Sequence, residues 1–122
     1  MNIKDLAKKY ELKREDFWEL HGNWILTHDA VTRVATKEQI ELVGIESIYQ
    51  TDTICRFLVT MSKAGHKVTS VGEADNKTSR NPYYGCMAEK RGIDRCVLKL
   101  IRAYEYGIKS EIEADDFRRD NG

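Results

Sequence analysis

Residues 53–61 read Thr-Ile-Cys-Arg-Phe-Leu-Val-Thr-Met, and their period decides the fold class. Cys55, Phe57, Val59 and Met61 alternate with Ile54, Arg56, Leu58 and Thr60, so a pleated chain shows one apolar face and one mixed face. β-Branched and aromatic residues dominate, as suits a half-buried strand. Residues 45–50 and 66–72 have the same character. Ser62-Lys63-Ala64-Gly65 is hairpin chemistry, with Gly65 suited to a positive φ. A three-stranded antiparallel meander is the economical reading.

Outside that segment the apolar spacing is helical. Residues 4–10 and 13–20 predict two short amphipathic helices, with Leu6, Ala7 and Tyr10, then Phe17, Trp18 and Leu20, as the apolar positions. Thr27 is placed to cap a third helix towards Ile40, with Val31, Val34 and Ala35 inside. After a polar loop over 72–81, Asn81-Pro82 opens a long helix that Gly107 stops after Tyr106. The expected fold is α+β: N-terminal helices, a three-stranded antiparallel meander, and a long basic C-terminal helix packed on the sheet. All 122 residues form a single domain in this reading. Residues 1–22 are a short helical N-terminal extension, 23–107 an α-β-β-β-α core, and 108–122 an acidic, frayed tail.

Composition excludes several classes. Hydrophobic residues at 41% and charged residues at 33% give the balance of a folded domain, not a disordered one. No apolar run approaches the roughly 20 residues of a membrane span. Met1-Asn2-Ile3-Lys4-Asp5 lacks the apolar core of a signal peptide, so a cytoplasmic address is expected. Cys55, Cys86 and Cys96 cannot all pair, and they and His21, His28 and His66 show no metal-ligand spacing. Neither metal nor cofactor is expected. Glu73 is a lone carboxylate at a strand end, with no second catalytic group at a motif-like spacing, so no enzyme is expected.

Net charge is zero, but the charges are segregated. From Lys77 to Arg102 there are seven basic residues and two acidic ones, whereas residues 111–117 hold Glu111, Glu113, Asp115 and Asp116 and no base. On a helical wheel Arg91, Arg95, Lys99 and Arg102 fall on one side, with Tyr84 and Ala88. Cys86, Ile93, Val97, Leu100 and Tyr104 lie opposite. Like charges at i, i+4 repel on a bare helix, and a polyanion would relieve them. The expectation is an exposed cationic ridge opposite the packed face, reinforced by Lys77 and Arg80 near the helix N-terminus. Arg56, on the mixed strand face, is a weaker candidate. The acidic segment is a candidate partner-binding tail, or a mask for the basic face.

Val71-Gly72-Glu73-Ala74, a polar loop, Met87-Ala88-Glu89-Lys90-Arg91-Gly92-Ile93-Asp94-Arg95 and Leu98-Lys99-Leu100 together resemble a group of small phage proteins. Their pattern is G-E-A, loop, M-A-E-K-R-x-x-D-R, L-K-L. Residues 25–31 and 113–117 fit the same group, so the resemblance covers about residues 23–117. Gly92 departs from the pattern, which has alanine there. It costs about 1 kcal/mol within a helix and permits close approach of a neighbour. The order of elements is similar to the core of Erf-type and Rad-fifty-two-type single-strand annealing proteins. That resemblance implies an oligomeric ring or filament, with single-stranded DNA in a basic groove and no nucleotide cofactor. Its groove residues here would be Arg91, Arg95, Lys99 and Arg102, with Lys77, Arg80 and Arg56. The competing reading is a phage-derived protein that binds and inhibits a host factor through the acidic tail and the mixed strand face.

Overall fold

The computed structural model describes residues 2–75 and 84–112. The chain opens on helix α1 (Ile3–Tyr10), where Asn2 and Asp5 form a reciprocal capping box. Its inner face buries Leu6 and Tyr10.

The second expected helix, over 13–20, does not form. A short 3-10 turn (Arg14–Asp16) leads into strand β1 (Phe17–Leu20), which pairs antiparallel with β2 (Asn23–Leu26). His21 at φ 50 and Gly22 at φ 82 make the tight turn between them. Phe17 meets the Trp24 ring edge-on at 5.7 Å. Residues 17–20 instead satisfy their backbone by pairing in a hairpin that a third strand completes. That third strand is β6 (Ile108–Ser110), parallel to β2. The expected frayed tail is therefore structured at its start: Ile108 and Ser110 are buried, and so is Ile112. Residues 113–122 lie outside the described residues.

Helix α2 (His28–Lys37) follows as expected, with the Thr27 hydroxyl accepting from the Ala30 N–H at 3.0 Å. It stops short of Ile40, because Gln39 turns to φ 55. The meander also forms. Strands β3 (Glu41–Gln50), β4 (Ile54–Lys63) and β5 (His66–Asp75) run antiparallel in the order β3-β4-β5. Ala64 at φ 49 and Gly65 at φ 81 turn the second hairpin, and Lys63 pairs with His66.

Helix α3 (Tyr84–Leu100) packs on β4 and β5, with α2 and β6 on its other side. The α-helix ends at Leu100 rather than near Tyr106. Arg102 takes the left-handed conformation, a 3-10 turn (Ala103–Tyr106) intervenes, and Gly107 at φ 71 closes the segment. Asn81-Pro82, expected to open the helix, lies outside the described residues. Val59 and Met61 of β4, Val31 and Val34 of α2, and Val97 and Leu98 of α3 join in one core. The fold is thus the expected α+β, with a second small sheet that the sequence reading did not foresee. Among the described residues no helix is long and apolar enough to cross a membrane.

Candidate nucleic-acid interface

Small residues set the geometry of the basic helix. Ala88, Gly92 and Cys96 form a stripe at i, i+4 and i+8 against the sheet. A Cβ on Gly72 would stand 1.9 Å from the Ala88 carbonyl, and one on Gly92 would stand 2.5 Å from Val59 Cγ2. Helix and strands meet backbone to backbone there. The close approach allowed by Gly92 is to its own sheet.

The seat brings the basic column level with the free edge of β5. Arg91 Nη1 donates to the Glu73 carbonyl at 2.8 Å, Arg95 Nη1 to that of Val71 at 2.5 Å, and Lys99 Nζ to that of Thr69 at 3.2 Å. Four helical residues rise roughly 6 Å and two strand residues about 6.6 Å, so the two rows stay in step. The cations thus occupy edge carbonyls that would otherwise be open to water or to another strand.

The expected exposed ridge is corrected accordingly. Arg91 is 1% exposed and also donates through Nε to the Ile112 carbonyl at 3.3 Å, so it is no phosphate contact. Arg95 is half-buried and Lys99 exposed. Arg102 is exposed and ion-paired with Glu105 at 3.0 Å. Arg56 is neutralised by Glu73 at 3.0 Å and lies over the Tyr49 ring at 5.2 Å. Lys77 and Arg80 lie outside the described residues. The wheel assumed one packing partner for the helix, but α3 has partners on both sides. Ile93 and Leu100, expected at the centre of the packed face, are only half-buried.

Other expected residues also move. Glu111 is no free tail residue, because its Oε1 accepts from the His28 N–H at 2.7 Å. Glu113, Asp115 and Asp116 are outside the described residues. Glu73 receives Arg56 on its carboxylate and Arg91 on its carbonyl. Cys55 and Cys96 are free and buried, and the Cys96 thiol donates to the Val59 carbonyl at 3.3 Å.

Sequence reasoning missed two features. Lys67 is exposed on the outer face of β5, two residues before Thr69, and has no ion pair among the described residues. Strict alternation in 66–72 was the signal that could have placed it there. The second is a buried pair: His28 Nδ1 lies 2.7 Å from Asp94 Oδ1, and Asp94 is fully buried. The hydrogen bond to Asp94 raises the His28 pKa. Burial raises that of Asp94, while His28 draws it back. The available hint was an acid one turn before Val97 and Leu98, with Lys90 and Arg91 one turn behind it. Among the described residues no cluster of three or more His, Cys, Asp or Glu is placed to hold a metal ion.

Gly72, Met87, Ala88, Arg91 and Asp94 all lie where α3 meets β5, α2 and β6, so in this chain they serve packing. Comparison of the chain with protein-family models, with curated proteins and with solved structures finds no match.

Proposed function

We propose that the protein binds single-stranded DNA along the rim where α3 meets β5 and anneals complementary strands as a homo-oligomer, as a binding protein without catalysis. One observation carries the reading. The exposed Lys99 ammonium bonds a neutral carbonyl, so its positive charge is not cancelled, and Lys67, on the outer face of the same strand, has no ion pair among the described residues. Arg95 adds a third cation one helical turn before Lys99. Such a line along a strand edge suits a flexible phosphate backbone, which gains affinity by releasing counterions. The annealing step comes from the resemblance alone.

The test is anisotropy of a labelled oligo-dT across a salt series. With about three phosphates engaged per chain, log K should fall against log salt with a slope of roughly −2. Lys67→Glu with Lys99→Glu should abolish binding while the chain still unfolds in one cooperative transition; unchanged affinity removes the reading. The competing class, a protein-binding inhibitor, gains one observation in the apolar edge of β3, uncovered among the described residues, and it predicts weak DNA affinity at physiological salt.

A further inference from the structure

Among the described residues the other edge of the sheet is open: strand β3 is 10 residues long, and β4 is its one substantial neighbour there. Leu42 and Val43 are each 50% exposed, and Ile48 and Tyr49 each 47%. These are four of the six large hydrophobic residues exposed among the described residues. Bulges fall at Val43 and Ile48, so those two side chains leave the regular ladder. A long apolar edge of this kind is a template for another strand.

Ladder alternation shows which backbone groups are on offer. The carbonyls of Thr69, Val71 and Glu73 point away from β4, so their partners Thr60, Leu58 and Arg56 point towards β3. Gly44, Glu46 and Tyr49 answer them, which leaves Ile45 and Ser47 with N–H and C=O directed outward.

We infer that β3 pairs antiparallel with β3 of a second copy of this chain, making one continuous six-stranded sheet across a two-fold axis. Apolar residues recur along the strand, with Leu42 and Val43 towards one end, Ile48 and Tyr49 towards the other, and Ile45 central. An isologous joint needs self-complementarity. An axis at Ile45 joins its outward groups to those of its copy, and sets Leu42 opposite Ile48, Val43 opposite Ser47, Glu41 opposite Tyr49 and Glu46 opposite Gly44. No like charges stand directly opposite, and Glu46 lies diagonal to its own copy. The head-to-tail alternative, β3 of one copy on β5 of the next, is closed because Arg91, Arg95 and Lys99 already hold the β5 carbonyls. The sheet edges therefore give a closed pair rather than a ring or filament. This inference deepens the oligomeric part of the proposed function and stands without the DNA part.

The experiment is light scattering of the full chain without nucleic acid, over the micromolar range. The expected mass is twice that of one chain. Ser47→Pro removes an outward N–H while sparing the bonds to β4, and Ile48→Lys puts a charge in the joint. Each should give a single-chain mass, with the oligo-dT affinity per chain and its salt slope kept, because Arg95 and Lys99 stand on the opposite edge. Should Ser47→Pro fail to fold, Ile48→Lys decides alone. A wild type that stays a single chain throughout overturns the inference, and so does a pair whose mass Ile48→Lys leaves unchanged. Loss of DNA binding by the Lys67 and Lys99 substitutions bears only on the rim.

Discussion

Along β5, the edge carbonyls of Thr69, Val71 and Glu73 are taken by Lys99, Arg95 and Arg91, which reach down from α3. Along β3, in the same sheet, no element among the described residues covers the edge, and Leu42, Val43, Ile48 and Tyr49 are each about half exposed. The difference comes from where one helix lies. α3 covers β4 and β5, seated by Gly72 and Gly92, and its flank falls on the β5 side. A cationic column on a helix can thus serve as the lock of a strand edge, and its regular spacing is no proof of a polyanion. Lys99, exposed although it holds a carbonyl, and Lys67 on the outer face are what remain for a ligand.

If the seat of α3 decides which edge is closed, Gly72→Ala should have the largest effect. The new methyl would meet the Ala88 carbonyl at 1.9 Å, and backbone on both sides cannot yield cheaply. A loss of more than about 3 kcal/mol is expected in urea unfolding. A variant as stable as the wild type would show that the helix can ride higher without losing the lock.

Arg91→Met should come next. The apolar chain keeps most of the volume but leaves the Glu73 and Ile112 carbonyls without a donor, at a cost of roughly 2–3 kcal/mol. The same substitution should leave oligo-dT affinity per folded chain unchanged, since Arg91 is buried. A selective loss of DNA binding in a fully folded variant would return Arg91 to the interface.

Much of this was legible in the residues. The alternation of Cys55, Phe57, Val59 and Met61, the Gly65 turn and the Thr27 cap are local signals, and the structure follows each. What was not legible depends on distant partners. Phe17–Leu20 read as helical because four residues cannot display a period, and they became a strand once Asn23–Leu26 and Ile108–Ser110 completed a sheet. β3 begins four residues before the expected Ile45, since Glu41 and Leu42 extend it by pairing with Ser62 and Met61. At the site, the wheel gave the angle of Arg91 but not what lay beneath it. A guanidinium at the rim of a buried helix face can turn inward wherever a strand edge offers carbonyls, and no local pattern announces that edge. The Glu73 carboxylate, likewise, was taken by Arg56 across the ladder.

The smallest effect on stability is expected for Arg95→Ala combined with Lys99→Ala, because each side chain is at least partly in solvent and its bond contributes roughly 1 kcal/mol. Its effect on assembly is the most direct measure of the contrast between the two edges. With the Val71 and Thr69 carbonyls released, β3 of one chain can join β5 of another, and such head-to-tail joints need not close. Light scattering of this double variant should show a mass that grows with concentration beyond that of the wild type. A mass identical to the wild type at every concentration would contradict the claim that the basic face of α3 seals the β5 edge.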